Sequence, residues 1–181
     1  MDDKRRRFEL QVMPHLGAAY RFARWLSRSP ADADDIVQEA FLRAYRGFDG
    51  LRATHPKAWL LRIVRNCHAT ALGRQQRRLC VPLPEEEGEP GEAVATATAP
   101  DPESASIERD EQRTLERLIA ALPEEHREVL LLREMEELSY REIAAVAGLP
   151  IGTVMSRLAR ARAALKVKWL EDTQGEPRAV R

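Results

Sequence analysis

Two stretches of the chain set arginines among small or amide side chains at helical spacing, a pattern suited to contact with a nucleic acid. In the first, Val154, Leu158, Ala161 and Leu165 (i, i+4, i+7, i+11) share one side of a helix. Ser156, Ala159, Arg160 and Ala163 fall opposite, flanked by Met155 and Arg157. Small residues let a helix lie deep in a major groove while an arginine reaches a guanine edge or a phosphate. Upstream, Ala144 suits a close crossing and Gly148 suits a turn residue of positive φ, which completes a helix-turn-helix pattern. An ordinary helical hairpin with a solvated basic face is the plainer alternative. Turn, cap and basic face agree on DNA binding.

The second stretch carries Arg62, Arg65, Asn66 and Ala69 on one side of a helix, with Trp59 at the flank and His55 and Lys57 just before it. Aromatic and amide groups beside arginines suit unstacked bases better than an intact duplex. Taken alone, such a helix is more simply a solvated surface. A third face, Asp35, Gln38, Glu39 and Leu42 (i, i+3, i+4, i+7), could dock a partner protein, although on pattern alone solvent exposure is the simpler reading.

Catalytic chemistry finds little support. His15, His55, His68 and His126 are scattered, and Cys67-His68 with Cys80 do not have zinc-ligand spacing. Cys67 falls on an apolar stripe, as a core thiol would. No phosphate-cradling glycine loop, nucleophile elbow or carboxylate pair stands out. We therefore expect no catalytic residues, no metal, no cofactor and no small-molecule substrate.

The elements that would hold these faces are helices. Residues 5–27 place Phe8, Val12, Leu16, Ala19, Phe22 and Leu26 near helical spacing. Ser29-Pro30 starts a second helix over about 30–47, with Ile36, Val37, Ala40, Phe41, Ala44 and Tyr45 as its apolar set. Pro56 begins a third, to about 78, buried through Leu60, Ile63, Val64, Cys67 and Ala71. Residues 80–103 lose periodicity, gather proline, glycine and glutamate, and read as a disordered acidic linker. Helices resume over 104–121 and after Pro123. Ser139-Tyr140-Arg141-Glu142 is a capping box, Gly148 ends the short helix it opens, and Pro150 opens a last one to about Trp169. Residues 171–181 read as a loose tail.

A formal net charge of zero hides segregation along the 181 residues. Residues 51–80 hold seven basic and no acidic side chains, and 150–168 hold five and none; 81–112 hold ten acidic and one basic. Two basic blocks around an acidic one suggest two contacts with a polyanion. No run of about 18 apolar residues could span a membrane. The N-terminus lacks the apolar core of a signal peptide, and two cysteines make no disulfide framework. The expectation is a reduced, soluble, cytoplasmic, all-α protein of two small helical domains on a flexible tether.

The residues then show a family resemblance. Asp32-Ala33-Asp34-Asp35-Ile36-Val37-Gln38-Glu39-Ala40-Phe41-Leu42-Arg43-Ala44-Tyr45 resembles the core-binding helix of bacterial sigma factors. Pro56-Lys57-Ala58-Trp59-Leu60-Leu61-Arg62-Ile63-Val64-Arg65-Asn66 resembles their promoter-melting helix. Leu122 to Arg127, Leu138 to Ala144 and Gly152 to Arg162 resemble their region four. With regions two and four alone, the chain is similar to the extracytoplasmic-function group of the sigma-70 family. The resemblance implies region two over 1–79, a linker over 80–103, region four over 104–170 and a tail over 171–181. It implies that Asp35, Gln38, Glu39 and Leu42 bind the β′ clamp helices of core RNA polymerase, with a further contact to the β flap. It implies −10 contacts from His55, Lys57, Trp59, Arg62, Arg65 and Asn66, with Asn66 reading a flipped-out base beside a pocket around Ala53–Lys57. It implies −35 contacts from Met155, Ser156, Arg157, Ala159 and Arg160. Promoter DNA and an anti-sigma factor are the remaining partners implied, and the linker resembles a segment that threads the RNA exit channel.

Overall fold

The computed structural model describes residues 2–27, 29–50, 55–79 and 104–175. Among these there are eight α-helices, two short 3-10 helices and no strand. The acidic linker over 80–103, residues 176–181 of the tail, Ala53 and Cys80 lie outside the described residues.

The N-terminal half holds α1 (Asp2–Gln11), α2 (Leu16–Leu26), α3 (Pro30–Gly47) and α4 (Pro56–Leu79). The single helix expected over 5–27 is in fact two. Pro14 lacks an amide hydrogen, and a 3-10 turn over Met13–His15 separates α1 from α2. The α3 start is as the sequence predicts: the Ser29 hydroxyl accepts from the Asp32 amide at 3.1 Å, and Pro30 occupies the first turn. Phe8 of α1 packs edge-on against Phe41, Tyr45 and Phe48, with ring centroids 5.2–6.3 Å apart. That cluster pins α1 to the end of α3.

The C-terminal half holds α5 (Ser104–Ala120), α6 (Glu124–Glu134), α7 (Tyr140–Ala147) and α8 (Ile151–Gly175). The capping box at α7 is complete: the Ser139 hydroxyl accepts from the Glu142 amide at 3.3 Å, and the Ser139 amide donates to the Glu142 carboxylate at 2.8 Å. Gly148 caps α7 at φ 66°, a left-handed conformation that glycine adopts without steric cost. Helix α8 continues to Gly175, five residues into the stretch expected to be a loose tail. Asp172 near its end pairs with Arg117 of α5 at 2.5 Å, which ties that last turn down.

The halves are not held apart. Helix α7 packs on α4, and α6 packs on α2. One apolar core runs from Phe22, Leu60, Leu61 and Val64 into Val129, Leu132, Ile143 and Leu158. Leu60, Val64 and Cys67 of the stripe read in the sequence are buried, and this contact extends the buried face of α4 to one flank. Ala58, Leu61 and His68 are buried, Ile63 is half-buried and Ala71 is exposed.

His68 is 7% exposed and bonds the Leu26 carbonyl; burial carries its pKa below the usual 6.5. With the folded value depressed, the unfolded chain binds the proton more tightly. The stability this group supplies is therefore full above pH 6.5 and falls as the pH drops through the depressed folded value. His68→Gln should flatten that part of a melting-temperature profile recorded between about pH 7 and pH 5. A profile parallel to that of the unaltered chain would contradict the burial.

Candidate nucleic-acid and partner interfaces

Helices α7 and α8 meet at 100° across the Gly148 turn, within the range of DNA-binding helix-turn-helix units. The Leu149 amide closes the turn on the Ala144 carbonyl at 3.0 Å. Val154, Leu158 and Ala161 are fully or almost fully buried, which fixes the rotation of α8. Met155, Ser156, Ala159 and Arg160 consequently face solvent. The Ser156 hydroxyl donates to the Thr153 carbonyl at 3.0 Å, and Arg160 pairs with no carboxylate among the described residues. Arg157 differs from these four. It is turned back onto α6 and pairs with Glu125 at 2.6 Å, bracing α8.

The outer face of α4 presents Arg62 and Asn66, one turn apart and both exposed. The other members of the expected −10 set are already engaged. Trp59 is half-buried against the core. The Lys57 ammonium lies 2.9 Å from the Glu136 carboxylate and donates to the Glu136 carbonyl at 2.8 Å. Arg65 pairs with Glu128. The His55 Nδ1 lies 3.2 Å from Glu142. All three carboxylates belong to the C-terminal half. Burial pushes the Glu128 carboxyl above its ordinary range, and the Arg65 guanidinium offsets this only in part. Burial would raise Glu142 as well, but its two bonds to Ser139, with His55 and Lys57 nearby, carry it below the ordinary value.

On α3, Asp35, Gln38 and Leu42 are exposed, with Leu42 53% open. Glu39 accepts from Arg43 at 2.6 Å, and this bond lowers its pKa. The four residues form one stripe, as their spacing requires, with the buried Ala33, Ile36, Val37, Ala40 and Ala44 beneath. Asp35 and Glu39 also border an open cleft that continues past Arg43, Arg74, Arg117 and Arg127.

Cys67 is buried, and burial raises its thiol pKa. Among the described residues, no group of three or more His, Cys, Asp and Glu could hold a metal ion. No single helix among them is long and apolar enough to cross a membrane. Sequence reasoning missed Arg21, Glu128 and Glu136, which join the halves. Glutamates in a short charged helix and its following turn carry no local sign of burial.

Comparison with known proteins places the same regions in the same order. Sigma-70 region 2 matches residues 12–78, and Sigma-70, region 4 matches residues 112–165. The ECF RNA polymerase sigma-E factor of Escherichia coli (strain K12) is 39% identical over 142 residues, covering 76% of this chain and 73% of that protein. The RNA polymerase sigma-H factor of Pseudomonas aeruginosa is 36% identical over 169 residues, covering 89% and 85%. Among solved structures, the sigma factor RpoE in complex with the anti-sigma factor NepR from Bartonella quintana superposes with a TM-score of 0.73 at 25% identity, covering 91% of this chain and 98% of that one. CnrH in complex with the cytosolic domain of CnrY gives 0.60 at 27% identity, covering 93% and 90%.

Proposed function

The chain belongs to the extracytoplasmic-function sigma factors of the sigma-70 family, and from that premise we propose how its surfaces divide the work of promoter-specific transcription initiation. The core-binding surface is the α3 stripe of Asp35, Gln38, Glu39 and Leu42, docked on the β′ clamp helices of core RNA polymerase. The outer face of α4, with Arg62 and Asn66 open and His55, Lys57, Trp59 and Arg65 beside them, captures melted −10 DNA. The exposed face of α8, with Met155, Ser156, Ala159 and Arg160, reads the −35 element; Arg157 holds that helix in place. Region two spans 1–79, an acidic linker 80–103 and region four 104–170, which also reaches the β flap. The chain catalyses nothing itself and works beside the polymerase in the cytoplasm. An anti-sigma factor is its regulatory partner, a reading supported by the solved complexes of similar proteins with NepR and CnrY.

The observation that carries this reading is the simultaneous exposure of Arg62, Asn66, Ser156 and Arg160. Although the halves pack together, both DNA-facing surfaces keep open side chains. Transcription in vitro with core polymerase, with and without this chain, tests the reading; a promoter-specific transcript must depend on the chain. Arg160→Ala should cost about 1–3 kcal/mol at one −35 base pair if the guanidinium makes a bidentate base contact. Holoenzyme binding to the promoter and to a −35-substituted duplex separates the roles. Equal losses on both would reduce Arg160 to a phosphate contact. The isolated chain should bind DNA weakly, and less as salt rises, because phosphate contacts dominate.

A further inference from the structure

Two arginines on the helix that carries the −35 face are turned inward, onto carboxylates at the two ends of α6. Arg157 pairs at 2.6 Å with Glu125 in the first turn of α6. Arg162 donates through Nε and Nη2, at 3.1 and 2.6 Å, to one oxygen of Glu134, the last residue of that helix. The Glu134 carboxylate, and after it the Tyr140 side chain, raise the Arg162 pKa above its ordinary value, so this link also reaches the first residue of α7. The Arg133 guanidinium lies over the same tyrosine ring, 5.4 Å from its centroid.

The two arginines straddle the buried side of α8. At about 100° per residue, Val154, Leu158, Ala161 and Leu165 centre on one direction, and Arg157 and Arg162 lie about 70° to either side of it. Ser156 and Arg160 face the opposite way. Apolar packing of this stripe on Leu131 and Leu132 of α6 is non-directional and resists roll only weakly. A pair on each flank opposes roll in both senses. Arg162 and Glu134 are about half exposed, and exposed pairs add little to stability. A bidentate base contact, however, tolerates only about 10–20° of misorientation.

We propose that Glu125 and Glu134 are positioning residues for −35 recognition: through Arg157 and Arg162 they set the roll of α8, and with it the angle at which Ser156 and Arg160 meet the base pairs. The proposal rests on the reading that the exposed face of α8 contacts the −35 element. It assigns these carboxylates to promoter discrimination, although neither touches DNA and neither belongs to the buried core.

The test uses the full chain assembled with core RNA polymerase. The quantity read is the ratio of affinities for the promoter and for a −35-substituted duplex. Glu125→Gln with Glu134→Gln should lower that ratio about tenfold, the scale of one bidentate base contact. Affinity for the substituted duplex should stay within about twofold, and the melting midpoint of the chain should barely move. Asp34→Asn with Glu137→Gln makes the same change in total charge at exposed positions elsewhere and should leave the ratio unaltered. Glu134→Arg with Arg162→Glu reverses one pair and should keep the ratio within about threefold of the unaltered chain, where Glu134→Arg alone lowers it. Circular dichroism confirms that each variant is folded. A double glutamine variant with an unchanged ratio, equal losses on both duplexes, or a reversed pair that fails to restore discrimination overturns the proposal. Arg160→Ala, measured alongside, separates the two levels of failure. If it lowers the ratio while the glutamine variant does not, the −35 reading stands and only the positioning role falls. If neither variant lowers it, the −35 reading of α8 falls as well.

Discussion

Asp35→Lys should weaken binding to core RNA polymerase about a hundredfold while leaving the fold and the melting temperature unchanged. Asp35 lies on the exposed side of α3 and pairs with no cation among the described residues, so no internal contact is lost. Its neighbour one turn on, Glu39, is already bonded to Arg43, which leaves Asp35 as the open carboxylate at the head of the stripe. A cation in its place faces whatever cationic surface the acid was matched to, and like-charge juxtaposition across an interface costs several kcal/mol. About 3 kcal/mol corresponds to the hundredfold loss. Asp34→Lys is the matched control: the same charge change, exposed, but turned by about 100° around the helix. Competition against labelled holoenzyme reads both. Equal losses would mean that the polymerase senses the total charge of α3 and not this face.

Phe22→Ala should act through the scaffold instead. Phe22 is 1% exposed on α2, the helix that touches α3, α4 and α6 at once. Removing a buried phenyl ring costs about 3–5 kcal/mol, a large part of the roughly 5–15 kcal/mol that holds a domain together. For a chain of this size that lowers the melting midpoint by roughly 6–20 °C. Because α2 supports both α3 and α4, core binding and oligonucleotide binding should fall together on warming. Asp35→Lys should separate them. A variant that melts normally would show that the pocket around Phe22 collapses without cost.

Much of this was legible along the chain because its causes are local. Ser29 and Pro30 start α3, the Ser139–Glu142 box starts α7 and Gly148 stops it, each through groups within a few residues of one another. The stripe Val154, Leu158, Ala161 is a 3.6-residue period, and burying it leaves Ser156 and Arg160 outside whatever else the molecule does. The break at Pro14 was equally local and was missed because the apolar spacing runs across it unchanged.

Other assignments depended on residues far away in sequence. Nothing near Lys57 or Arg65 indicates that Glu136 and Glu128, more than 60 residues on, will hold them. Ala71 fits the α4 stripe by spacing, yet it stays exposed while His68 is covered, because the C-terminal half lies across the other flank of that helix. Sequence alone therefore determined most of the helices, the capped starts of α3 and α7, the stop at Gly148 and the main apolar stripe of α3 and α8, since those follow from backbone periodicity and neighbouring side chains. Only tertiary structure decided which exposed charges stay open and which find a partner. That choice is set by how two helical halves pack, and packing is a property of surfaces that no short stretch of sequence contains.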